Sequence, residues 1–199
     1  MTIAYQIGDS LYLNITNQCP CDCIFCIRNE TDGINPGQSL WLDHEPTVAE
    51  IKAALSAVDF EAYQEIVFCG YGEPTSRLDV LLDIAQFLKE TQKLPIRLNT
   101  NGLSDLINRS CGQKTAPLLA KYIDMISISL NAPDSLYYRD LCNPSFGEAS
   151  YEAMLQFTRD CKAHFSQVTL SVLANALDKE AMESCRAICD AMDIPLRLR

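Results

Sequence analysis

The chain has 199 residues and is 48% hydrophobic, enough for one domain to bury a core, so disorder is excluded as its main state. Its 16 Lys+Arg against 26 Asp+Glu give a formal net charge of −10, which opposes tight sequence-independent binding to nucleic acid and points to small molecules or basic surfaces. There is no run of about 18 apolar residues, and the opening MTIAYQIGDS lacks the charged, apolar, small-residue order of a signal peptide, so a cytoplasmic protein with no membrane partner is expected.

In chain order, short β-rich runs alternate with patterns of helical period, which predicts successive βα units on a parallel sheet. The first run, residues 11–16, opens into a cysteine-rich loop, after which Val48, Ile51, Leu55 and Val58 repeat at helical spacing. Run 65–69 is followed by Leu78, Leu81, Leu82 and Ala85, and run 96–100 by a short helical segment over 116–122. Run 123–130 leads, through a long loop, to Met154, Phe157, Cys161 and Phe165. Run 168–173 leads to Ala181, Cys185, Ile188 and Met192, and run 195–199 closes the pattern. No linker, low-complexity segment or internal repeat divides the chain. The expectation is an α/β fold, one domain over 1–199, whose six parallel strands curl through right-handed crossovers into an open partial (β/α)6 barrel.

Ten cysteines are the outlying feature. In a reducing compartment thiols stay free or bind metal. Cys19, Cys21, Cys23 and Cys26 crowd one loop, whereas Cys69, Cys111, Cys142, Cys161, Cys185 and Cys189 are scattered. Cys185 and Cys189 continue an apolar stripe and read as core rather than as a second metal site, and Cys69 also reads as core. Cys142 falls in the loop after the fourth run, packed underneath or facing a substrate. His44 and His164 sit in no motif, so histidine acid–base chemistry has little support.

Sites on parallel α/β sheets form beyond the carboxyl ends of the strands. The first run leads into C-x3-C-x2-C as Cys19, Cys23 and Cys26, the second ends in Gly70-Tyr71-Gly72-Glu73-Pro74, the third in Asn99-Thr100-Asn101-Gly102, and the fourth carries Ser127-Ile128-Ser129-Leu130-Asn131. Three cysteines so spaced can hold three corners of a [4Fe–4S] cube and leave the fourth iron free for another ligand. Cys21 lies between two of them, and its side chain is expected to point away.

These motifs resemble the radical S-adenosylmethionine superfamily over nearly the whole chain. Phe25 matches that family's aromatic position before the last cysteine, and Gly72-Glu73-Pro74 resembles its G-G-E-P motif, with Tyr71 in place of the first glycine. The resemblance implies a [4Fe–4S] cluster on Cys19, Cys23 and Cys26 and S-adenosyl-L-methionine held beside it. Gly72, Glu73 and Pro74 would position the methionine end, with Glu73 facing its ammonium. Asn99, Ser129 and Asn131 would hold ribose or carboxylate oxygens, and Phe25 and Leu173 would border the adenine. It further implies a one-electron donor such as flavodoxin or ferredoxin, and a 5′-deoxyadenosyl radical that takes hydrogen from a substrate, most simply a small molecule. The stretches Leu11-Tyr12-Leu13-Asn14-Ile15-Thr16-Asn17, Cys26-Ile27-Arg28 and Leu141-Cys142-Asn143-Pro144-Ser145-Phe146-Gly147 are most similar to the radical S-adenosylmethionine proteins linked to TatD nucleases.

Other readings remain open. An activase of a glycyl-radical enzyme would take a protein as substrate. A zinc or closed iron–sulfur site that uses Cys21 as fourth ligand would make a binding or electron-transfer module. Taken alone, Gly72-Glu73-Pro74 and Asn101-Gly102 are turn signals. Loops 29–45 and 132–150 are the expected determinants of specificity, and Gly33, Pro36, Gly37, Trp41 and His44 give the first the look of a lid.

Overall fold

The computed structural model describes residues 1–33 and 38–199, so Pro36 and Gly37 of the expected lid lie outside the described residues. Among the described residues, seven strands form one sheet in chain order: β1 (Ala4–Ile7), β2 (Ser10–Leu13), β3 (Glu65–Phe68), β4 (Ile96–Thr100), β5 (Met125–Ser129), β6 (Gln167–Val172) and β7 (Leu196–Leu198). From β2 onward every neighbour pairs in parallel. Parallel strands in unbroken sequence order require every crossover to return on the same side, which gathers the helices on one face and curls the sheet into a partial barrel. The six parallel strands expected from the sequence are β2 to β7. β1 is an addition, an antiparallel partner of β2 joined through Gly8 at φ +57, a left-handed conformation that glycine adopts without strain. Its pattern was faint because only Tyr5 of its four residues is buried.

The helices are α1 (Val48–Ser56), α2 (Leu78–Thr91), α3 (Ser104–Ile107), α4 (Ala116–Leu119), α5 (Ser135–Cys142), α6 (Ala149–His164) and α7 (Lys179–Met192). α1 starts in a capping box between Thr47 and Glu50. The Asp178 carboxylate caps α7, and Asp193 at φ +51 ends it. α5 corrects the expected long loop: Asp134 caps it by accepting from the Tyr137 amide, and Asn143 at φ +40 ends it, so Cys142 is its buried last residue. Among the described residues no helix is long and apolar enough to cross a membrane.

Strand side chains alternate between two faces. Leu11, Leu13, Ile66, Phe68, Ile96, Leu98, Ile126, Ile128, Leu170 and Val172 all join one core with Ile51, Leu55, Leu81, Ile84, Leu88, Met154, Phe157, Cys185 and Cys189 from the helices. Burying each large apolar side chain contributes about 1.5–3 kcal/mol. The alternate positions, Ser10, Tyr12, Glu65, Cys69, Arg97, Asn99, Ser127, Ser129, Thr169, Ser171 and Arg197, with the apolar Val67 and Met125 among them, give the opposite, concave face a mostly polar lining.

Candidate functional site

The loop after β2 is held by the last turn of α5 and the segment that follows it. Asp22 N donates to Cys142 O at 3.1 Å, Ile24 N to Leu141 O at 3.1 Å and Ser145 N to Pro20 O at 2.8 Å, while Cys21 bridges Pro144. This pairing extends the backbone, so side chains alternate. Asp22 and Ile24 face water, whereas Cys21 is buried and turns to the same side as Cys19 and Cys23. That corrects the expectation of an outward Cys21. Its thiol hydrogen-bonds Cys19 and Cys23, and Cys142 hydrogen-bonds Cys23. Asn101 Nδ2 lies 3.9 Å from Cys19 Sγ and 3.8 Å from Cys21 Sγ, and Asn131 Nδ2 lies 3.7 Å from Cys142 Sγ.

These bonds divide the thiols electrostatically. The hydrogen bond from Cys21 holds Cys19 below the usual thiol range, and those from Cys142 and Cys21 lower Cys23, with the Arg28 charge favouring both thiolates. The donors Cys21 and Cys142 are pushed up in turn, and burial raises Cys26. Arg28 is fixed by a 3.0 Å bond from Nη2 to Cys21 O. Among the described residues, no group of three Cys, His, Asp or Glu side chains is arranged to hold a metal ion, and all the cysteines are free thiols.

The exit of β3 lies against the exit of β2. Gly72 N donates to Thr16 O at 3.0 Å and Glu73 N to Gln18 O at 2.8 Å. A Cβ on Gly72 would lie 2.4 Å from Thr16 O and 2.7 Å from Gln18 O, so only glycine fits. Tyr71, which stands in place of the motif's first glycine, has a home: its ring is buried with Tyr5 and Leu40, its hydroxyl donates to Thr31 O, and Trp41 packs edge-on at 5.1 Å. The expected lid is thereby tied to the β3 exit through Thr31 and Trp41. His44 is elsewhere, exposed and 2.8 Å from Glu50.

Glu73 is not an exposed turn residue, and its carboxylate is engaged by the protein itself. It is 4% exposed. Its Oε1 accepts from Thr75 N at 3.1 Å, Thr75 Oγ1 at 2.8 Å and Thr100 Oγ1 at 2.7 Å, and its Oε2 accepts from Asn101 N at 2.7 Å. Burial pushes its pKa up against these four donors. The carboxylate joins the exits of β3 and β4 and caps the 3-10 turn Pro74–Arg77, whose Pro74 is buried.

The remaining expected residues share the mouth in different ways. Asn99 accepts from Arg97 Nη1 at 2.8 Å and hydrogen-bonds Cys69, so Cys69 belongs to the concave face rather than to the core. Ser129 Oγ and Asn131 Oδ1 accept from Arg199 Nη2 at 3.2 and 3.3 Å, with Asn131 at φ +57. Leu173 and Phe25 are half-buried at the rim. Sequence reasoning missed Asn101, Arg28 and Arg199. Counting by two from Asn99 finds Asn101, whereas the other two reach the mouth only through the folded loop and the last strand.

Comparison with known proteins agrees with this geometry. The family model of the radical SAM superfamily matches residues 13–190, from β2 through nearly all of α7. Streptococcus suis SuiB bound to S-adenosylmethionine superposes with a TM-score of 0.70 at 16% identity, covering 96% of this chain and 40% of that one. A radical SAM methyltransferase from Sphaerobacter thermophilus gives 0.62 at 17% identity, covering 98% and 68%. Methylornithine synthase (PylB) gives 0.62 at 19% identity, covering 96% and 52%. The chain thus spans about two fifths of the length of SuiB. No curated protein sequence matches it. At these identities the solved structures speak for the fold, and the family model, which runs from the cysteine loop to the last helix, speaks for descent: the chain belongs to the radical SAM superfamily.

Proposed function

We propose that this chain is an enzyme that reductively cleaves S-adenosylmethionine, with Cys19, Cys23 and Cys26 holding a [4Fe–4S] cluster. The observation that carries this reading is the meeting of the cysteine loop with the exits of β3, β4 and β5 at one mouth, where Glu73, Asn101 and Asn131 link them. The donor set fits the cluster chemically, since iron–sulfur clusters bind thiolates and two of the three thiols are already biased toward that form. When bound and reduced, the cluster supplies the one-electron cleavage that yields a 5′-deoxyadenosyl radical.

The chain's own residues bind, orient and exclude competing reactions. Gly72 keeps the β3 exit clear for the methionine end. Glu73 acts as a brace that fixes Gly72 and Asn101 in position. Ser129 and Asn131 offer oxygens and an amide to ribose or carboxylate, Asn99 stands deeper on the concave face, Pro74 fixes the turn at the methionine end, and Phe25 and Leu173 supply apolar borders for the adenine. No side chain is assigned as acid, base or nucleophile. A flavodoxin or ferredoxin in the cytoplasm would deliver the electron, and a small-molecule substrate would be selected by loops 29–45 and 132–150. Within the superfamily, the stretches 11–17, 26–28 and 141–147 support assignment to the TatD-linked group.

The test is anaerobic reconstitution with iron and sulfide, followed by measurement of 5′-deoxyadenosine after addition of S-adenosylmethionine and a strong reductant. Bound iron should be lost on replacing Cys19, Cys23 or Cys26 by Ala and retained in Cys21→Ala. Equal iron loss in Cys21→Ala would favour the closed four-cysteine site, and intact S-adenosylmethionine in the reduced wild type would sink the assignment.

A further inference from the structure

The concave face of the sheet has a charge opposite to that of the molecule. The chain carries −10. Yet the inward positions of β3, β4 and β7, together with the residue just past β7, hold three arginines, Arg97, Arg197 and Arg199, against one carboxylate, Glu65. That carboxylate is already committed: Arg97 reaches it at 3.0 and 2.6 Å, and Ser10 donates at 2.8 Å. Glu73, nearer the rim, is committed to its four donors.

Arg197 and Arg199 are left without a salt-bridge partner among the described residues. Arg197 stands in the row Ser129, Ser171, Arg197 across β5, β6 and β7. Arg199 belongs to an exposed residue, but its guanidinium turns inward to the neutral acceptors Ser129 and Asn131. The two cations are close enough to act on each other, and Arg197 also acts on Glu65. Arg197 is exposed, whereas burial of the Arg199 guanidinium disfavours its charge, and two like charges so placed are an unfavourable arrangement that a bound anion would relieve.

We propose, resting on the radical SAM reading above, that the substrate is an anion bearing phosphate or more than one carboxylate, bound by Arg197 and Arg199 at the β7 side of the mouth. S-adenosylmethionine brings only one carboxylate. Alternate residues on a strand stand about 7 Å apart, so the pair spans a multiply charged group or two anionic groups. Arginine suits this task because its planar fork matches carboxylate and phosphate oxygens.

The test is calorimetric titration of inorganic phosphate and of citrate into the full chain at fixed ionic strength, with glycerol as a neutral control and S-adenosylmethionine titrated separately into the reconstituted protein. At least one anion should bind, and Arg197→Gln and Arg199→Gln should each weaken it about tenfold. Arg199→Lys, which keeps the charge, should weaken it less, and Arg186→Ala on α7 should leave it unchanged. The proposal is overturned if neither anion binds, if Arg186→Ala weakens binding as much, or if the two β7 variants weaken S-adenosylmethionine binding and spare phosphate and citrate. Anion binding without formation of 5′-deoxyadenosine would sink the radical SAM reading alone. Formation of 5′-deoxyadenosine without anion binding would sink this inference alone.

Discussion

Replacing Glu73 by Gln tests whether this residue serves the ligand or the fold. The carboxylate has four donors on two oxygens, and two of those donors are backbone amides, from Thr75 and Asn101, one at each oxygen. A glutamine can present its carbonyl oxygen to only one of them. If its NH2 takes the place of Oε2, it meets Asn101 N–H at what was a 2.7 Å bond; if it replaces Oε1, it meets Thr75 N–H, while the Thr75 and Thr100 hydroxyls can turn to accept. In either orientation one buried amide loses its partner, at about 1–3 kcal/mol, and the surviving bonds lose their charge assistance. Removal of a buried charge offsets part of this, since burial is the leading cause that raises the Glu73 pKa. The net is about 2–4 kcal/mol, or about 4–16 °C in Tm for a chain of this size. Thermal and urea unfolding of Glu73→Gln beside wild type measures it, and Thr100→Val, which removes one donor to Glu73 and the acceptor of Gly102 N, should cost about 2 kcal/mol. A variant with unchanged Tm but S-adenosylmethionine affinity reduced tenfold would refute the bracing role and restore the carboxylate as a direct ligand of the ammonium.

Three further outcomes follow from the same geometry. Gly72→Ala places a Cβ 2.4 Å from Thr16 O, so the amide bonds of Gly72 and Glu73 to the β2 exit must give way; a loss of about 2 kcal/mol in urea unfolding, with weaker S-adenosylmethionine binding, is expected, and wild-type values in both would refute the contact. Cys185→Ser puts a hydroxyl into a fully buried apolar stripe and should cost about 1–3 kcal/mol while leaving metal content unchanged, whereas a drop in bound metal would revive a second site on α7. The Thr47 amide and hydroxyl, with His44, hold the Glu50 carboxyl at about 2, below its ordinary 4.5. A lowered folded-state pKa gives stabilisation that is complete above the unfolded value and fades as pH falls toward 2, so the urea midpoint of wild type should drop more steeply between pH 5 and 2 than that of Glu50→Gln. Parallel curves would remove Glu50 from the capping box.

The sequence by itself determined the parallel α/β plan, because a period of two in the strands and near 3.6 in the helices follows from local geometry and survives any packing. It also marked the mouth, since Gly72, Asn99 and Asn131 fall near the carboxyl ends of strands and Cys19, Cys23 and Cys26 in the loop that follows one. β1 and α5 escaped, one because a single buried tyrosine leaves no pattern, the other because its cap lies at Asp134 amid a polar run. Only the tertiary structure decided where Cys21 points, since its direction depends on pairing with Pro144, more than a hundred residues away. Only it showed that Glu73 braces the exits of β3 and β4, through donors at the end of β4 that the motif does not contain. The same holds for the charge of the concave face. Arg97, Arg197 and Arg199 look like scattered surface cations along the chain, and sheet register places Arg97 and Arg197 on the concave face, with Arg199 just beyond, the last two without a salt-bridge partner among the described residues. Such features depend on long-range pairing, which no local period encodes.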